Sequence, residues 1–281
     1  MLRTRILTAA IGIPVLLALF LFGSESLVFS LFFIFVGWSV YEMASMFLPA
    51  LHQRIVGGDG IPIGKKWVFF CVAASLVLFA LSAGPYVQHA QGGIVVGLVL
   101  LLMVGTFSAS TLERSIVNMA GSVLSVTYGC LPWISMWELY QFGSRGRYIL
   151  LLFVIVFSCD TGAYFVGRAW GRRKLAPSLS PKKTWEGVVG GVSLSVVAAF
   201  VFHAICGFTL GPWWLVLTAA FLGSIAGVMG DLVESAFKRF SGVKDSGAVL
   251  PGHGGILDRV DALLFAAPVV WAVLSGYQVL R

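Results

Sequence analysis

Seven of the chain's 12 acidic residues fall between positions 160 and 261: Asp160, Glu186, Asp231, Glu234, Asp245, Asp258 and Asp261. Asp160, Asp231 and Asp261 sit within or at the ends of long apolar runs. An aspartate at the centre of a membrane helix costs about 2.5–3.5 kcal/mol on insertion scales, so such a residue is a functional candidate by default. Spacing groups the acids further. Asp231, Glu234, Ser235 and Lys238 fall at i, i+3, i+4 and i+7, one face of a helix. Asp258 and Asp261 are three apart at the opening of the last apolar run, with Arg259 between them. Two helix ends would thereby aim carboxylates at one pocket. Carboxylates with few other ligands, next to Lys and Arg, suit a magnesium ion that also binds a substrate's phosphates. The plainer reading is local ion pairing, Asp231 or Glu234 with Lys238 and Asp258 with Arg259. That reading covers any one residue; the cluster as a whole argues for a site.

Two polar loops supply the basic partners. The first runs from Gly171 to Gly191, and its Ser180-Pro181 break is followed by Lys182, Lys183 and Thr184 just before an apolar run. Backbone amides and the dipole at a helix N-terminus favour anions, which makes this a phosphate-site candidate. Arg172, Arg173 and Lys174 are explained by the bias of basic residues toward the cytoplasmic side. The second loop, Ser235–Asp261, carries two glycine-rich turns. Gly254 and Gly255 permit close backbone approach to a ligand. His253 has the chemistry to donate to a phosphate oxygen or to move a proton, although a lone loop histidine is more often simply solvated. Neither a Walker GxxxxGK[ST] nor a Rossmann GxGxxG occurs. The four cysteines form no CxxC pair, which removes support for a thiolate zinc site or a disulfide framework.

These groups must be positioned by membrane helices. The 281 residues are 58% hydrophobic and 11% charged, with a mean hydropathy of +0.94, whereas soluble domains carry about 25% charged residues. Spans of about 20 apolar residues are expected at 6–22, 27–48, 67–83, 93–108, 117–137, 148–167, 187–206, 213–231 and 260–279. Arg3 and Arg5 ahead of the first run resemble the start of a signal peptide, but no convincing small-x-small cleavage site ends that run, so it reads as a retained helix. With the N-terminus in the cytoplasm, 16 of the 19 Lys and Arg residues fall on the inner side; Arg145, Arg147 and Arg281 fall outside. The expected fold is therefore all-α and polytopic, about nine transmembrane helices, N-terminus cytoplasmic and C-terminus outside. Residues 1–145 would form an N-terminal set of spans, and 146–281 a C-terminal set bearing the cytoplasmic catalytic loops. The net charge of +7 suits anionic lipid and anionic substrates. Residue chemistry alone thus points to a membrane enzyme with an inner-face, metal-dependent, phosphate-handling site.

The second loop closely resembles the signature of the phosphatidate cytidylyltransferases. Every element stands in order: Ser235, Lys238-Arg239, Lys244-Asp245, Pro251-Gly252-His253-Gly254-Gly255, and Asp258-Arg259-Val260-Asp261. CDTGAYFVGR around Asp160, SPKKTWEG at 180–187 and GDLVES at 230–235 also look like segments of that family, so the motif resemblance covers roughly 158–261. It implies attack of phosphatidic acid on the α-phosphorus of CTP, with CDP-diacylglycerol and pyrophosphate as products. It further implies Asp231, Asp258, Lys238 and His253 as catalytic residues. Mg2+ would be held by Asp231 and Asp258 with Asp261 and Asp160 in support, and a second, monovalent cation is left open. Lys182, Lys183, Lys238, Arg239, Lys244 and Arg259 would share the phosphates, Ser235 and Asp245 would also bind substrate, and His253, Gly254 and Gly255 would shape the phosphate pocket. The implied partners are CTP, phosphatidic acid and the lipid bilayer; no nucleic acid is expected, and a homodimer is left open. The implied location is a bacterial inner membrane with the site facing the cytoplasm. An ion-coupled transporter would show paired repeats with broken helices rather than one polar C-terminal cluster. A CDP-alcohol phosphotransferase would show DGxxAR followed by GxxxD, which is absent. A CTP-dependent transferase or kinase acting on another lipid remains the nearest alternative.

Overall fold

The computed structural model describes residues 15–57, 65–83, 90–107, 111–142, 146–249 and 254–279. Among them the chain is almost entirely helical. Helix α1 covers 15–22. It is followed by α2 (Glu25–Val56), α3 (Lys65–Ala83), α4 (Ala90–Phe107), α5 (Leu112–Gln141) and α6 (Arg147–Trp170). A short hairpin of β1 (Lys174–Ala176) and β2 (Ser180–Thr184) comes next, then α7 (Trp185–Ile205), α8 (Trp213–Phe240) and α9 (Leu257–Val279). The expected all-α, polytopic membrane architecture is the one observed. Among the described residues, six helices are long and apolar enough to cross a membrane: α2, α3, α6, α7, α8 and α9 through Tyr277. The expected 93–108 span corresponds to α4, whose described residues end at Phe107. The expected 117–137 span lies within α5. The first part of the 6–22 span lies outside the described residues.

The chain forms two compact units. One contains Ser24–Trp137 and Phe237–Arg259; the other contains Gly12–Gly23, Glu138–Ala236 and the stretch from Val260 onward. In the first unit, α2, α3 and α5 meet through an aromatic core. Phe29 stacks on Phe79 at 5.5 Å and meets Trp137 edge-on at 5.3 Å, while Phe35 stacks on Trp133 at 5.5 Å. A buried indole must place its N–H. Trp133 donates to Ser39 Oγ at 3.2 Å, Trp137 to the Ala83 carbonyl at 3.0 Å, and Trp67 to Ser122 Oγ at 2.9 Å. Each bond joins two helices, and those of the buried Trp133 and Trp137 satisfy donors that no water would otherwise reach.

In the second unit, α6 and α7 pack through small residues, the usual device when lipid removes the hydrophobic drive between helices. A Cβ at Gly191 would stand 2.6 Å from the Cys159 carbonyl oxygen, and one at Gly162 would stand 2.7 Å from that of Gly190. Glycine is therefore required for this close approach. Ser195 Oγ adds a bond to the Ile155 carbonyl at 2.9 Å. The turn between α6 and α7 is the antiparallel hairpin, paired at Lys174–Thr184 and Ala176–Ser180. The sequence reading leaves this stretch as a loop; Pro177 and the polar run hide so short a strand pair. Glu186 fixes the hairpin by accepting the backbone N–H of Arg172 and of Arg173, both at 3.1 Å to Oε2. Thr184 caps α7, its hydroxyl accepting the Gly187 N–H at 3.2 Å.

Candidate active site

Three elements of the second unit deliver its charged cluster. Asp160 comes from α6, Lys183 from the end of β2 and Asp231 from α8. Lys183 Nζ lies 2.7 Å from Asp231 Oδ2, with both side chains partly accessible. Asp160 lies close enough to interact electrostatically with both Lys183 and Asp231. Lys183 also reaches the Val228 carbonyl at 3.4 Å. Ser235, one turn beyond Asp231, donates to Asp231 Oδ1 at 3.4 Å, as the i, i+4 spacing requires. Two carboxylates and a cation thus share one spot next to helices that are otherwise apolar. Asp261, also in this unit, accepts the Ala262 N–H at 2.8 Å.

The first unit holds the second charged group. Lys238 Nζ lies 2.7 Å from Asp258 Oδ1. Asp258 Oδ2 accepts the backbone N–H of Gly255 at 2.8 Å and of Ser246 at 2.9 Å. Asp258 therefore folds the glycine-rich loop back onto the start of α9, where a carboxylate also complements the helix dipole. Gly254 has φ +78, a left-handed conformation natural to glycine. The close approach at Gly255 is to protein: a Cβ there would collide with Ser246 Oγ and meet Glu42 Oε2 at 2.5 Å. Lys182, Arg239, Lys244, Asp245 and Arg259 are exposed. His253 lies outside the described residues.

Two ion pairs reach beyond the sequence-local range. Asp231 joins Lys183 and Asp258 joins Lys238, partners 48 and 20 positions away. Lys238 stands two helical turns beyond Asp231 on α8, outside the three- or four-residue reach of a helical side-chain pair. Sequence reasoning missed Glu42, which accepts four hydrogen bonds in the first unit. The signal was present, since Glu42 interrupts the apolar run of α2 just as Asp160 interrupts that of α6.

The donor set bears on the expected metal. Among the described residues, no group of three or more His, Cys, Asp or Glu side chains is arranged to hold a metal ion. Asp160 and Asp231 offer hard oxygen donors beside a lysine. That set fits Mg2+, which keeps several waters and binds through one or two carboxylates together with substrate phosphates.

Comparison with known proteins identifies the family. The pattern of the Cytidylyltransferase family matches residues 3–277. A protein of Staphylococcus haemolyticus named phosphatidate cytidylyltransferase is 35% identical over 272 residues, covering 95% of this chain and 97% of its own length. A Staphylococcus epidermidis protein of the same name is 36% identical over 272 residues, with the same coverage. One from Staphylococcus aureus is 37% identical over 199 residues, 71% of this chain and 75% of its own length. Over nearly its whole length, then, this chain belongs to the cytidylyltransferase family.

Proposed function

We propose that the chain is a phosphatidate cytidylyltransferase that joins CMP from CTP to phosphatidate at the cytoplasmic face of a bacterial inner membrane. An oxygen of the phosphatidate monoester attacks the α-phosphorus of CTP. The bond from that phosphorus to the α,β-bridging oxygen breaks, and pyrophosphate leaves with the electron pair. The nucleophile is already anionic near neutral pH, so positioning and charge neutralisation matter more than a strong base. The observation that carries this reading is the convergence of Asp160, Lys183 and Asp231 from three elements in a chain of this family.

Asp231 and Asp160 would hold Mg2+, which supplies charge neutralisation on the triphosphate. Lys183 would offer its ammonium to a phosphate oxygen, and Ser235, hydrogen-bonded to Asp231 Oδ1, would keep that carboxylate oriented. In the first unit, Lys238 would offer its ammonium to a phosphate oxygen, and Asp258 would offer its carboxylate to a metal ion. Arg239, Lys244 and Arg259 add exposed positive charge for the incoming anions. An apolar groove of about 510 Å3 in the second unit is lined by residues of α1, α6 and α7, with Ser158 and Thr161 among them. These two residues flank Asp160 in sequence, so the groove supports a substrate whose tails stay in the bilayer.

The test uses purified protein in detergent with phosphatidic acid, α-labelled CTP and Mg2+. Labelled CDP-diacylglycerol and pyrophosphate are expected, lost with EDTA and restored by excess Mg2+. Absence of labelled lipid from folded protein, across several acceptor lipids and with both CTP and dCTP, would overturn the assignment.

A further inference from the structure

Glu42 has no part in the reaction as drawn, yet it is 3% exposed and fully engaged. Its Oε1 accepts the indole N–H of Trp38 at 3.0 Å and the backbone N–H of Ile256 at 3.1 Å. Its Oε2 accepts the backbone N–H of Leu257 at 2.8 Å and the hydroxyl of Ser246 at 3.2 Å. Leu257 opens α9, so a residue of α2 satisfies amides that a helix start leaves without intrahelical partners. The negative charge also complements the dipole at that end. Two glycines make room for it: a Cβ at Gly247 would collide with Glu42 Oε1, and one at Gly255 would meet Glu42 Oε2 at 2.5 Å.

The other end of the same loop is held by α2 as well. Arg54 Nη2 donates to the Phe240 carbonyl at 2.8 Å, and its guanidinium lies 4.3 Å from the centroid of the Phe240 ring. Phe240 is the last residue of α8. Glu42 and Arg54, about 18 Å apart along the axis of α2, therefore anchor both ends of the 241–256 segment. That segment carries Lys244, Asp245, Gly254 and Gly255 and leads directly into Asp258.

We propose that Glu42 is a positioning residue for cytidylyl transfer: buried away from substrate, it sets the start of α9 and hence the placement of Asp258 and its partner Lys238. This rests on the reaction proposed above. The sharpest variant is Glu42→Gln, which keeps the size but replaces one acceptor oxygen with an NH2 donor. Trp38 and Ile256 both donate on one side and Leu257 donates on the other, so neither amide orientation satisfies all of them. A misplacement of this kind lowers kcat by about 10²-fold, with little change in the KM for CTP. Hydrogen exchange of a peptide covering 244–258 should quicken by more than the loss of thermal stability from the unpaired donor accounts for, while elution volume stays close to wild type. Glu42→Asp keeps the charge on a shorter side chain and should recover part of the lost kcat.

Folded Glu42→Gln protein with wild-type kcat and wild-type exchange at 244–258 would overturn the proposal. So would activity that falls only in proportion to the folded fraction. If Glu42→Gln fails to fold, the same two readouts on Glu42→Asp decide. Wild-type protein without cytidylyltransferase activity would instead overturn the reaction assignment, because the exchange comparison needs no turnover.

Discussion

Lys183 stands 2.7 Å from Asp231 and interacts with the charge of Asp160, so removing its ammonium leaves two like charges uncompensated. This gives a prediction with opposite signs in one variant. Lys183→Ala should lower the Mg2+ concentration needed for half-maximal rate, because the carboxylates attract the cation more strongly without a competing ammonium. The same variant should raise the KM for CTP by removing a phosphate partner. Initial rates titrated separately against Mg2+ and CTP would resolve the two shifts. An unchanged Mg2+ midpoint would break the link between Lys183 and the metal. Asp231→Asn should lower turnover by about 10²–10³-fold, the usual scale for losing one electrostatic contact at a reacting centre. Rate measurements on protein with wild-type elution volume would check it, and near-normal turnover would remove Asp231 from the metal assignment.

The α6–α7 contact sets the spacing between Asp160 and the hairpin that carries Lys183. Gly191→Val places side-chain atoms where even a Cβ would lie 2.6 Å from the Cys159 carbonyl, so the helices must separate. Overpacking of this kind costs about 1–3 kcal/mol, and activity should fall along with thermal stability. Gly276→Ala on α9 is the control, since nothing lies within 4 Å of its Cβ position; thermal unfolding of the two variants side by side reads the difference. The helices were legible in the sequence because an apolar run long enough to span a bilayer has few other uses, and Asp160 and Asp231 stood out because charge in such a run is costly. Two sets of contacts were not legible. Glu186 stabilises the 174–184 hairpin through the amides of Arg172 and Arg173, a contact with no periodic pattern. Glu42 meets Ser246, Ile256 and Leu257 across more than 200 positions, and the 3.6-residue period of a helix says nothing about partners so far along the chain.

Across the molecule, charge and tryptophan together give an expectation for how the second unit lies in a bilayer. Arg172, Arg173, Lys174 and Lys182 are all exposed around the hairpin, with Trp170 69% and Trp185 55% exposed beside them. At the far end of α7, Trp213 and Trp214 open α8 with 60% and 47% exposure. Tryptophan gathers at both membrane interfaces and basic residues at the cytoplasmic one. The 21 residues of α7 span about 31 Å, close to the roughly 30 Å hydrocarbon core. We therefore expect the hairpin, with Lys183 at its end, to face the cytoplasm, where CTP is dissolved. Single cysteines can test this after Cys206→Ser, because the other three native cysteines are buried. Lys174→Cys should react with a membrane-impermeant maleimide only in inverted vesicles or lysed cells, whereas Thr209→Cys should react in intact spheroplasts. The reverse pattern would put the charged cluster on the side without CTP and would sink the proposed orientation. Labelling of both positions in intact spheroplasts would show instead that α7 does not cross the bilayer, contrary to the match between its length and the membrane core.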